Sequence, residues 1–176
     1  QGRPGGPGGP GGGPGGGMRQ ALSPEKAKAA WELEAKSVAA ALGVSGDKAA
    51  ALSKAYVEAR TNQGAAAEKL RDEMREQGRE GGAPDGSMRE KVEKLNADER
   101  AKLEKALGGT LSAEQTKTAM ETLGTFNRGW DHMASIIAGF NLDAKKQGDA
   151  MNAVYQFVST QGKNRAAGPG GDRPRR

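Results

Sequence analysis

The chain has 176 residues, but its 28 Gly and 8 Pro crowd into the two ends, which leaves residues 20–162 as the foldable stretch. Apolar residues make up 35%, yet 29 of them are Ala and only eight are Val or Ile, which excludes a sheet protein and suits closely packed helices. No apolar run approaches the ~20 residues of a membrane span, no Cys is present for disulfides or thiolate metal sites, and a single His leaves few metal or general-base schemes.

The formal charge of +5 is unevenly placed. Arg3 and Arg19 supply two charges and residues 163–176 supply a net +4, so residues 20–162 carry −1. Basicity belongs to the tails. A C-terminus ending Asp172-Arg173-Pro174-Arg175-Arg176 makes only weak, salt-sensitive contact with a polyanion, so nucleic acid ranks last among possible partners.

Residues 1–19 form a Gly/Pro tail, with 11 Gly and 4 Pro in the first 17 positions. Gly recurs every third residue through Gly11 before Pro14 breaks the phase, too briefly for a collagen trimer. The expectation is a disordered or polyproline-II-like tether. Residues 163–176 mirror it with Gly168-Pro169-Gly170-Gly171 and several Arg. Either tail could instead pack along neighbouring subunits of an assembly. The start at Gln1, with no Met and no apolar leader, fits a periplasmic or secreted chain whose signal has been removed.

Between the tails, helix starts recur. An apolar residue, a capping residue and a Glu, Gln or Lys three positions later appear at Leu22-Ser23, Val44-Ser45, Leu95-Asn96, Leu111-Ser112 and Leu142-Asp143; Ser87 adds another with Glu90. The cap side chain accepts from an orphan N–H of the first turn, and Glu or Gln returns a bond to the cap. Gly43, Gly78, Gly108 and Gly162 supply stops. These signals predict six helices at 24–42, 46–80, 88–94, 97–107, 113–140 and 144–161.

The second helix carries a seam at Leu52, Tyr56, Ala59, Gln63, Ala66, Leu70 and Met74. The fifth repeats a 4-3 spacing through Ala119, Leu123, Phe126, Trp130, Met133, Ile137 and Phe140, the strongest packing pattern in the chain. It reads as a central aromatic rib. Residues 71–80 are nearly all charged and should project beyond the core.

Candidate sites are few. His132 is the only imidazole, and the positions three and four away on its helix supply no second ligand. A cross-helix site for a soft ion would need Met120, Met133 or Met151, so His132 and Met133 are the metal candidates, with core packing as the ordinary alternative. Asp98-Glu99 and Glu32/Glu34 read as solvated charges on helix faces. No catalytic constellation and no cofactor site is expected. Trp31, Tyr56 and Met74 are the candidates for contact with another polypeptide, Trp31 and Tyr56 as the walls of an apolar groove.

The starts at Leu95–Leu103 (LNADERAKL) and Leu111–Gln115 (LSAEQ), with Leu22–Lys26 (LSPEK) as a third, resemble the LTxxQ repeats of the periplasmic Spy- and CpxP-like family over about residues 22–125. The resemblance implies a small all-helical periplasmic protein that holds unfolded clients without ATP or responds to envelope or metal stress, often as a dimeric cradle. The −1 charge of the helical region departs from a basic cradle. The rival expectation is a structural or accessory subunit of a larger assembly or homo-oligomer. Either way the partner is protein and the fold is an elongated all-α bundle.

Overall fold

The computed structural model describes residues 22–79 and 87–166; both Gly/Pro tails fall largely outside that range. Six helices are present, with no strand among the described residues: α1 (Pro24–Ala41), α2 (Gly46–Arg79), α3 (Ser87–Gly108), α4 (Ala113–Thr122), α5 (Arg128–Gly139) and α6 (Ala144–Ala166). A 3-10 turn at Leu123–Thr125 links α4 to α5. No described helix is long and apolar enough to cross a membrane.

Local chemistry sets most of the ends. Ser23 accepts from Lys26 N at 3.5 Å, with Pro24 at the first helical position. Ser112 and Gln115 close a full reciprocal box at 3.2 and 3.1 Å. Asp143 accepts from Lys146 N at 2.9 Å, and the Lys146 ammonium also pairs with its carboxylate, so a Lys at that position reinforces the cap by charge. At the end of α1, Gly43 adopts φ +65°; Gly43 N bonds Ala40 O at 3.1 Å and Val44 N bonds Ala39 O at 2.8 Å. That is a Schellman stop, and it turns Val44 into the core.

Three expected boundaries are corrected. Helices 88–94 and 97–107 are one continuous α3, because no Gly or Pro interrupts Glu90–Leu107 and Asn96 does not cap. Its side chain instead accepts from Gln63 Nε2 at 2.7 Å, tying α3 to α2. Conversely, 113–140 is not one helix. The run Thr122-Leu-Gly-Thr-Phe-Asn127 is poor in helix formers, Phe126 takes a left-handed φ of 47°, and the Asn127 side chain accepts from Gly129 N at 2.8 Å to start α5 afresh. The last helix also passes Gly162, so the expected tail boundary at 163 lies inside α6.

Helix α1 lies at the centre, packed against α2, α5 and α6, while α3 pairs with α2 and α4 bridges α3 to α6. Ala30, Ala35, Val38 and Ala39 of α1 are almost wholly buried, which lets neighbouring backbones approach closely. The 4-3 aromatic spacing correctly marks Ala119, Leu123, Phe126, Trp130 and Ile137 as buried despite the break. Phe140 is the exception, at 66% exposed, because it caps the end of α5 beyond the core. On α2, burial fades along the seam from Leu52 and Tyr56 to a 37%-exposed Met74, and residues 71–76 are exposed as expected.

Because Asn127 carries the restart of α5, Asn127→Ala should cost about 1 kcal/mol in urea denaturation. Helix content by circular dichroism should stay unchanged.

Candidate functional site

The chemistry-bearing residues converge where α1, α2 and the start of α5 meet. Three charged residues there are buried: Glu34 at 0% exposure, Arg60 at 4% and Asp131 at 7%. Each occupies a core-facing position of its helix. Glu34 sits between Ala30 and Val38, Arg60 follows Tyr56 by one turn, and Asp131 precedes Ala134.

Arg60 is the centre. Its Nη2 donates to Asp131 Oδ2. Its guanidinium carbon lies 5.2 Å from the Trp31 ring centroid and 5.5 Å from that of Phe126, so the cation is held between two aromatic faces. Nε and Nη1 have no hydrogen-bond acceptor, which leaves the rings as their surroundings. The helix break explains how this is possible. Residues five apart on a continuous helix point about 140° apart, so Phe126 and Asp131 could not both reach Arg60. The left-handed turn at Phe126 brings them to the same group.

Around this pair lies an acid. Tyr56 Oη donates to Glu34 Oε2 at 2.7 Å. Burial, and then the nearby Asp131 charge, push the Glu34 carboxyl well above the ordinary range. Glu34 Oε1 and Asp131 Oδ1 are buried without a hydrogen-bond partner among the described residues. Asp131 is itself raised by burial, against the lowering effect of Arg60. Burial, and then the Glu34 charge, also raise Tyr56, which keeps its phenol intact. Arg60 and Asp131 set opposite charges against each other inside the cluster.

The cluster is shut off from solvent and offers no surface to a substrate. Tyr56 is fully buried and bonded inward. It therefore cannot form the wall of an open groove, and Trp31 is half-buried beneath Arg60. Met74 is exposed on the arm of α2. His132 and Met133 are half-buried, Met133 against the core, and no group of three or more His, Asp or Glu side chains able to hold a metal occurs among the described residues. Trp130 is fully buried and packs on Tyr155 with centroids 6.3 Å apart.

Sequence reasoning missed Glu34, Arg60, Asp131 and the buried Glu99, treating carboxylates as solvated by default. The available signal was positional: a charged residue in the middle of an apolar stripe. Glu99 resembles the others only in burial, since it takes a bond from the exposed Lys102 at 2.6 Å. No protein-family model, curated protein or solved structure matches the chain.

Two outcomes test the cluster. Arg60→Met leaves Asp131 buried without a counter-charge and should destabilise by about 3–5 kcal/mol in urea, while Arg60→Met/Asp131→Leu should recover most of that loss. Glu34 binds its proton more tightly folded than unfolded, so its contribution is complete below about pH 4.5 and declines as pH rises. The wild-type Tm should therefore fall between pH 5 and pH 9, and Glu34→Gln should flatten that slope.

Proposed function

We propose that the chain is a non-catalytic helical protein that holds other polypeptides without ATP, working in the periplasm or outside the cell. The observation that carries this reading is the set of large apolar side chains left on the bundle surface. Phe140 is 66% exposed, Phe157 55% and Ile136 47%, with Ile136 and Phe140 one turn apart on α5. A core this short of large apolar residues gains from burying them, so their exposure fits side chains kept free for another chain. The capped Leu-Ser-x-x-Gln and Leu-Asn-x-x-Glu starts, which resemble those of the Spy- and CpxP-like family, support the same reading and the location.

One observation favours the rival reading of an accessory subunit. Near its end α2 leaves Arg71–Glu76 exposed, a charged helical stretch suited to the polar surface of a partner.

The test is light scattering by an unrelated chemically denatured protein diluted into buffer. A near-stoichiometric amount of this protein should suppress aggregation with no nucleotide present. Phe140→Ser/Phe157→Ser should weaken suppression several-fold while leaving the Tm within a few degrees, since both side chains are exposed. An unchanged aggregation rate at tenfold excess sinks the client-holding reading. A fixed partner recovered at constant stoichiometry from the native source turns it toward the accessory subunit.

A further inference from the structure

Among the described residues, three open grooves differ in charge. The one between α1 and α2 is edged by Lys28, Lys36, Glu32 and Glu58, and the one between α2 and α3 by Lys54, Lys102, Glu58 and Glu99, so both mix signs. The third, of about 590 Å³, lies where the α2–α3 pair meets the turn before α5. Its walls include Ala67, Val92, Leu95 and Phe126, and among the described residues its charged lining is Arg100 and Arg128, with no carboxylate.

The two cations are set in place and unpaired. Arg100 lies across Gly124: a Cβ there would come within 3.3 Å of its Nε and 3.6 Å of its Cγ, and within 2.8 Å of Met120 Cε. Arg128 opens α5, whose positive N-terminal end adds to the same potential. Neither Arg is within ion-pair distance of a carboxylate among the described residues. The Gln63–Asn96 bond at 2.7 Å braces the two helices that wall the groove.

We infer that this groove docks an acidic amphipathic helical segment of a partner protein, with apolar side chains on Val92, Leu95 and Phe126 and carboxylates on Arg100 and Arg128. The inference rests on the polypeptide-holding reading above and names the surface and the partner chemistry. The lining sets Val92, Leu95 and the edge of the largely buried Phe126 beside the polar Gln63, Asn96 and Thr125, and its charge among the described residues is of one sign, the complement of an acidic helical segment. The chain's own tails are unsuited to it: residues 1–19 carry only Arg3 and Arg19 as charges, and residues 163–176 are net basic.

The probe is a fluorescein-labelled peptide of about 18 residues with Leu at every third or fourth position and Glu flanking them, beside a counterpart with Lys in place of Glu. Anisotropy should show saturable binding of the Glu peptide, about tenfold weaker in Arg100→Glu/Arg128→Glu and weakened by salt. Both residues are exposed, so the variant should keep the wild-type dichroism and Tm. No saturable binding of the Glu peptide, equal binding of the Lys peptide, or indifference to the double substitution each overturns the inference. A wild-type dimer that the double substitution splits, seen by size-exclusion light scattering, assigns the groove to a second copy and also overturns it. If the peptide fails while aggregation suppression persists, the groove assignment falls alone; if both fail, the reading beneath it falls as well.

Discussion

A guanidinium buried in an Ala-rich bundle is the constraint around which the rest is arranged. Arg60 has lost its hydration, and its stability depends on Asp131 and on the two ring faces of Trp31 and Phe126. Those partners come from α1, α5 and the turn into α5, and Arg60 itself from α2, so one side chain fixes the relative placement of three helices. Apolar packing alone would be less selective, since Ala faces slide past one another at little cost. A charge with one acceptable location does not slide. Glu34 extends the same specification by accepting a hydrogen bond from Tyr56 of α2.

The interruption of the aromatic helix follows from this requirement. Its 4-3 spacing would support a long unbroken helix, and the sequence reads that way. Satisfying Arg60 from both Phe126 and Asp131 needs a change of direction between them, and a left-handed non-Gly residue is the strain accepted for it. The break is supported on either side. Thr125 bonds back to Thr122 O at 2.7 Å, and Asn127 collects the first N–H groups of α5.

What could be read from the sequence divides along the same line. Caps at Ser23, Ser112 and Asp143, the Gly43 stop and the burial of Leu52, Tyr56 and Trp130 were legible because they depend on near neighbours in sequence or on helical period. Asn96 was misread because a cap and a cross-helix hydrogen bond use the same residue type, and only the position of Gln63 decides between them. Phe140 was misread because the period continues past the place where the core ends. The cluster was illegible for a different reason. Period says which face a residue occupies, but whether a charge on that face is solvated or paired depends on residues up to 97 positions away, as Glu34 and Asp131 are.

Phe126 links the hidden part of the molecule to its surface. One face of its ring covers Arg60, and the residue also lines the groove between the α2–α3 pair and α5. Its backbone conformation, set by the capped restart at Asn127, therefore serves two purposes. The ring contributes a wall of the groove that is already immobilised by a buried ion pair. A wall held in that way loses little conformational freedom when something packs on it, which is the main cost that a preformed surface avoids in binding. The rigidity of the cluster and the openness of the groove are thus consequences of one turn, and the polar core has a use at the surface without touching solvent itself.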